Sequence, residues 1–158
     1  MALSYEILKN TTKANELYRE LIKENTKKPD VYIKIFAANQ AEKQTDKAIN
    51  VLKRGVKNLP DNAQLKALLG STYLQAGQKE EAEKIVQSLL ALGEKKEVFN
   101  YVGDIYRDAS DIAKAEEYYN KSLALDAAQT DAYFGLASTY FNKAVDVLKE
   151  ADKVPLDD

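Results

Sequence analysis

The chain has 158 residues, 45% apolar and 30% charged, with a formal net charge of −2, a balance that fits a globular chain with a packed core rather than a disordered one. It contains no cysteine and no histidine, which excludes disulfides, thiolate metal sites and imidazole-based catalysis. Residues 1–58 carry 12 Lys/Arg against 7 Asp/Glu and residues 59–158 carry 11 against 18, either as drift across solvated helix faces or as a dipole that steers an elongated partner.

In chain order, helical periodicity runs throughout and strand alternation is nowhere sustained. MALSYEIL reads as the second half of a helix that breaks at KNTT (9–12). A helix with Ala14 and Tyr18 follows, to a break at NTKKPD (25–30). PDVYIKIFAANQAEK and the segment carrying Ala48, Leu52 and Gly55 come next, separated by KQTD (43–46) and closed by NLPDN (58–62). The segments around Gly70–Tyr73 and Ala82–Val86 flank AGQ (76–78), where Gly77 reads as a helix stop. After LGEKK (92–96), helices around Phe99–Tyr106 and Ala115–Tyr119 flank DASD (108–111). Beyond DAAQTD (126–131), DAYFGLASTYFNKAVDVLKEADKVP reads as one helix of roughly 24 residues. About nine helices are expected, with N-caps at Thr45, Asp61, Asp111 and Thr130.

The segments repeat. Ala14, Ala48, Ala82 and Ala115 are spaced by 34, 34 and 33 residues, and Tyr5, Asn39, Tyr73, Tyr106 and Tyr140 keep the same period. Ile35-Phe36, Leu69-Gly70, Val102-Gly103 and Leu136-Ala137 precede the tyrosine position, and Tyr18, Leu52, Val86 and Tyr119 stand four residues after each alanine. A glycine inside a helix costs ~1 kcal/mol against alanine, so Gly70 needs a packing reason. Opposite Ala82 it lets two helix axes approach closely, with Tyr73 and Val86 filling the space around. By the same volume exchange Phe36 is expected against Gly55, and Asn39 is expected either partly exposed or hydrogen-bonded.

A period of this length marks a stacked helical array. The pattern, seen in F99-N-Y-V-G-D-I-Y106 with A115-E-E-Y-Y119, in Y133-F-G-L-A-S-T-Y140, and in A48-I-N-V-L52 closed by Pro60, resembles the tetratricopeptide repeat (TPR) family. Tryptophan is absent, with Tyr32, Lys66, Phe99 and Tyr133 in its slot. The resemblance implies an all-α fold, a right-handed α-solenoid of antiparallel helix hairpins. Its divisions are a partial repeat at 1–28, repeats at 29–62, 63–95 and 96–129, and at 130–158 an extended first helix of a further repeat acting as cap. Met1 falls inside a first helix, which suggests a piece of a longer, bacterial-type protein of this family.

The resemblance also implies function. First helices of such arrays line a concave surface that takes extended peptides. Helical phase places Ile33, Ala37, Ala67, Ser71, Asn100, Asp104, Arg107, Asp108, Phe134, Ser138 and Asn142 there. This blend suits a protein or peptide partner with apolar anchors and basic residues, with Asp104 and Asp108 one turn apart as a local negative field. The Lys, Asn and Arg set with which one subclass grips chaperone C-termini has no counterpart, since its slots hold residues such as Ile33, Ala37, Leu68, Glu97 and Tyr101.

No phosphate-binding, nucleophile-elbow or metalloprotease motif occurs, and carboxylates such as Glu80, Glu81 and Glu83 recur as on any solvated helix. The expectation is therefore no enzyme, no metal and no cofactor. Glu97, Asp104, Asp108 and Asp131 would repel a phosphate backbone, which argues against nucleic acid. No apolar run approaches the ~18 residues of a membrane span and no signal peptide is visible, pointing to a soluble cytoplasmic or periplasmic chain without direct membrane insertion. In the last helix, Tyr140, Ala144, Val147, Leu148 and Ala151 form more apolar surface than one neighbour covers, which predicts self-association through 131–153. The functional expectation is a non-enzymatic scaffold for protein contacts, and the alternative is a structural spacer or oligomerisation segment of a larger chain.

Overall fold

The computed structural model describes residues 11–152. They form eight α-helices and no strand: α1 (Thr11–Lys23), α2 (Pro29–Ala41), α3 (Thr45–Asn58), α4 (Ala63–Gln75), α5 (Lys79–Leu90), α6 (Lys96–Asp108), α7 (Ile112–Leu125) and α8 (Thr130–Ala151). The half-helix expected at the N-terminus, with Tyr5, lies outside the described residues. Two compact units divide the chain, Met1–Ile85 and Val86–Asp158, with the boundary inside α5.

The turns after α2, α4 and α6 share one geometry. Lys43, Gly77 and Ser110 each take a left-handed φ of 56–74°. The next amide reaches back across the helix end: Gln44 N to Asn39 O (2.8 Å), Gln78 N to Tyr73 O (2.8 Å) and Asp111 N to Tyr106 O (2.9 Å). These bonds satisfy carbonyls that the helix end leaves open. Only the middle turn uses glycine, so spacing located the stops where composition did not. The caps differ from expectation at three of four positions. Asp111 caps α7 by accepting from Lys114 N (3.2 Å), but Asn62 rather than Asp61 caps α4, accepting from Leu65 N (2.8 Å). Thr45 and Thr130 are the first helical residues, preceded by Gln44 and Gln129, which make no side-chain cap bond.

In the first unit α2 packs on α1 and α3, and α3 on α4, around Tyr18, Tyr32, Ile35, Leu52, Leu65, Leu69 and Tyr73. Ala82 of α5 joins the same core. The volume exchange exists here with a different large partner. A Cβ on Gly55 would meet Tyr32 Cγ at 3.1 Å and Leu65 Cδ1 at 3.2 Å, while Phe36 is only half-buried. Tyr32 is one turn earlier on α2, and its ring can lie flat over the glycine because its hydroxyl has somewhere to go. The hydroxyl donates to Thr26 O (2.8 Å) and accepts from Asn58 Nδ2 (2.7 Å). Asn39 is buried.

In the second unit α7 packs on both α6 and α8, which also touch each other. Val98, Val102, Ile105 and Ala132 are buried, and Lys96 Nζ meets Asp126 Oδ2 at 2.6 Å, clasping the start of α6 to the end of α7. Tyr119 of α7, fully buried, is held between two glycines. A Cβ on Gly103 of α6 would come within 2.7 Å of the Tyr119 ring, and one on Gly135 of α8 would fall on Tyr119 Cζ and Cε1. Two helices thus give up side chains so that one ring fits between them.

Candidate functional site

The facing first helices of the second unit, α6 and α8, enclose a recess of about 360 Å³ lined by Glu97, Asn100, Tyr101, Asp104, Arg107, Asp131 and Phe134. Helical spacing explains the α6 wall: residues 97, 100, 101, 104 and 107 follow the three-and-four rhythm of one face. Asp131 and Phe134, three apart, do the same at the start of α8. Tyr119, fully buried, reaches this lining only through hydroxyl bonds to Asp104 and Arg107.

The electrostatics differ from the sequence expectation. Asp104 and Asp108 do not present an open pair of charges, because Arg107 lies between them. Its Nη1 is 2.6 Å from Asp104 Oδ1 and its Nη2 is 3.0 Å from Asp108 Oδ1. The Tyr119 hydroxyl donates to Asp104 Oδ1 (2.8 Å) and accepts from Arg107 Nη1 (3.2 Å). An arginine one turn along a helix satisfies acids on either side of it, which two isolated letters in a sequence do not reveal. Burial holds the Asp104 carboxyl above its usual range, against the pull of the Tyr119 hydroxyl and Arg107. Burial and the Asp104 charge raise the Tyr119 hydroxyl far above its ordinary value. Tyr101 is raised too, by burial and then by Asp104, Asp131 and Glu97. Glu97 and Asp131 make no ion pair among the described residues, so they carry the unneutralised charge of the recess.

One atom distinguishes this recess. Asn100 is only 7% exposed, and its Oδ1 is the buried side-chain polar atom that finds no hydrogen-bond partner among the described residues. Leaving such an acceptor unpaired costs on the order of 1–3 kcal/mol. Two larger recesses lack any such atom: one near Arg19, Asn39 and Lys47 in the first unit, another near Leu90, Phe99, Tyr118 and Leu125 in the second.

Of the expected groove residues, Asn100, Asp104, Arg107 and Phe134 are brought together, and Phe134 is 72% exposed. Asp108 contributes through Arg107, and Ser138 and Asn142 continue along α8 without lining the recess. In the first unit Ala37 is exposed, Ile33 and Ser71 are half-buried, and Ala67 is buried. Tyr119 was legible only as a packing residue. Its signal is a hydroxyl at a buried position where Leu52 and Val86 stand in the neighbouring copies.

Among the described residues no cluster of three or more acidic, cysteine or histidine side chains is placed to hold a metal, and no helix is long and apolar enough to cross a membrane.

Family models described as tetratricopeptide repeat match residues 8–70, 39–100 and 98–129. A human curated relative, protein IFIT1 homolog B, is 31% identical over 87 residues, 54% of this chain. The chain spans 18% of that relative's length. Among solved structures, a tetratricopeptide repeat protein from Parabacteroides merdae superposes with a TM-score of 0.69 at 16% identity, covering 96% of this chain and 59% of the other. A thermophilic TPR protein from Thermus thermophilus gives 0.64 at 20% identity, covering 89% and 78%. A monomeric IFIT1 mutant solved with Gppp-AAAA gives 0.61 at 20% identity, covering 94% and 34%. At these identities the structural likeness shows the fold alone, an all-helical repeat solenoid.

Proposed function

Because the chain belongs to the tetratricopeptide repeat family, which makes protein-interaction scaffolds, we propose that it binds an extended peptide segment of a partner protein in the α6–α8 recess. Asn100 Oδ1 carries this reading: Asn100 lines the recess, its buried acceptor has no partner among the described residues, and an incoming N–H donor would complete it. Glu97 and Asp131 suit a Lys or Arg of the peptide, and Phe134 with the Tyr101 ring suits an apolar neighbour. The Gppp-AAAA ligand of the IFIT1 structure raises a nucleic-acid reading. Three lining carboxylates against one guanidinium, Arg107, which is already paired to Asp104 and Asp108, oppose a phosphate backbone here. A pure spacer would have no use for an orphaned acceptor. Self-association through α8 is a second part of the proposal, supported by Tyr133, Phe134, Tyr140, Phe141, Val147 and Leu148, all at least half exposed.

The test is a fluorescently labelled library of ten-residue peptides, scored by anisotropy at low and high salt, with single-stranded oligonucleotides alongside. Peptides pairing a basic with an apolar residue should bind at micromolar strength and weaken with salt. Asn100→Leu, of similar volume, should leave the thermal midpoint unchanged or higher while weakening the best peptide at least tenfold. Equal affinity for Asn100→Leu and for Glu97→Gln with Asp131→Asn would remove the recess as the binding site, and tighter binding of the oligonucleotides would replace the peptide reading.

A further inference from the structure

α8 is built differently on its two sides. Its N-terminal half seats Ala132, Gly135 and Thr139 in the unit's interior. From Lys143 onward nearly every residue is exposed. Over those last turns the side that continues Ala132 and Thr139 changes to charge, with Lys143, Asp146, Lys149 and Glu150. The opposite side stays apolar to the end of the helix: Phe134, Ala137, Phe141, Ala144, Leu148 and Ala151 follow a strict three-and-four alternation. A helix merely overhanging into water would be polar all round. Charge placed on one side and apolar residues kept on the other over 22 residues, about 33 Å, point to a cover of similar length.

The order of sizes identifies the cover. Along the stripe large and small residues alternate, Phe-Ala-Phe-Ala-Leu-Ala. Lay a second copy of this helix antiparallel across a two-fold axis between Asn142 and Lys143. Phe134 then faces the second copy's Ala151, Ala137 faces Leu148, and Phe141 faces Ala144. Every large side chain meets a small one, and the stripe contains no charged residue to repel its own image. Alanines at alternate layers let the axes approach to ~8 Å. Phe134, Phe141 and Leu148, the large side chains of the stripe, are 72%, 69% and 64% exposed, and Tyr133, Tyr140 and Val147 on its flank are available to widen the contact.

Resting on the self-association reading above, we infer that two copies of this chain pair through α8 as an antiparallel, isologous helix pair, in the register that sets Phe134, Ala137 and Phe141 of each copy over Ala151, Leu148 and Ala144 of the other. Phe134 borders both this face and the recess, so the pairing is probed at other positions.

The absence of cysteine makes the register directly testable. Single variants Ala137→Cys and Leu148→Cys are oxidised separately and as a mixture. In the inferred register the two thiols of a mixed pair lie opposite each other. Identical positions on the two copies are offset by eleven residues, ~16 Å along the axis, beyond the ~7 Å a disulfide spans. Crosslinked dimer should therefore form from the mixture at least tenfold faster than from either variant alone. Sedimentation of the parent at ~100 µM should show a dimer, and Leu148→Glu with Phe141→Glu should return it to monomer at unchanged helicity. A parent monomer overturns both the pairing and the self-association it rests on. A parent dimer whose single-cysteine variants crosslink with themselves, or that survives Leu148→Glu with Phe141→Glu, overturns this register and leaves self-association standing.

Discussion

α6 and α8 carry aromatic residues at the same repeat positions and end in opposite environments. Phe99 and Tyr106 of α6 are 9% and 6% exposed, while Tyr133 and Tyr140, each 34 residues on, are 55% and 50% exposed. Toward Tyr119 of α7 the two helices behave alike, each offering that ring a glycine. They differ where Phe99 and Tyr106 of α6 pack on Tyr118 of α7, with ring centroids 6.2 and 5.7 Å apart, while Tyr133 and Tyr140 of α8 have no such ring over them among the described residues. A repeat pattern therefore specifies which face of a helix is apolar. Whether that face is a core or a surface depends on the next element, and the unpartnered copy becomes available for binding.

The largest effect should come from the feature that the two helices share. Gly135→Ala places a methyl on the Tyr119 ring, which cannot retreat because Gly103 backs its other side. A loss of about 3 kcal/mol or more is expected, read as a lower urea midpoint. Gly103→Ala, with its nearest ring atom at 2.7 Å, should cost less. Adding Tyr119→Val to Gly135→Ala should recover part of the loss. Parent-like stability of Gly135→Ala alone would mean that α8 is not seated on Tyr119.

What the sequence revealed divides along the same line. Spacing located the helices, their turns and the buried alanines Ala14, Ala48, Ala82 and Ala115, because a 34-residue period constrains all of them at once. It also indicated that Gly55 faces something large but picked Phe36, when Tyr32 lies one turn away. The difference was the hydroxyl of Tyr32, whose partners Thr26 and Asn58 are in other segments. The recess was legible as a set of α6 and α8 positions, but not its charge state. Arg107 neutralising Asp104 and Asp108 depends on rotamers, and the isolation of Asn100 Oδ1 depends on what fails to reach it.

A second prediction separates equal letters directly. Tyr106→Ala removes a buried ring stacked on Tyr118 at 5.7 Å and should cost about 3–4 kcal/mol. Tyr140→Ala removes a half-exposed ring that reaches Glu116 at the surface, and should cost less than about 1 kcal/mol in dilute solution. Denaturation of both variants across protein concentration sharpens the contrast. If α8 pairs with a second copy, the cost of Tyr140→Ala should grow with concentration while that of Tyr106→Ala stays fixed. Equal costs in dilute solution would mean that α8 has a covering element even in the monomer.

A subtler effect, read through its pH dependence, lies where α6 meets α7 beneath the recess. Tyr119→Phe keeps the ring between the two glycines and deletes only the hydroxyl, which donates to Asp104 and accepts from Arg107. At pH 7 the cost should be about 1–2 kcal/mol, the size of a hydrogen bond to a charged group. Its pH dependence has a definite sign. Burial raises the folded pKa of Asp104 above its unfolded value of 3.8, so this carboxyl contributes stability that is fully present below 3.8 and is lost as pH rises through the folded value. Deleting the hydroxyl removes a donor that favours the ionised form and pushes Asp104 higher still. The variant should then lose more stability than the parent as pH rises, so that the gap between them is widest near neutrality and narrows toward pH 3. Urea unfolding at a series of pH values measures that gap directly. A gap independent of pH would show that Tyr119 does not act on the Asp104 charge, and would leave only its ring, packed between Gly103 and Gly135, as its contribution to the fold.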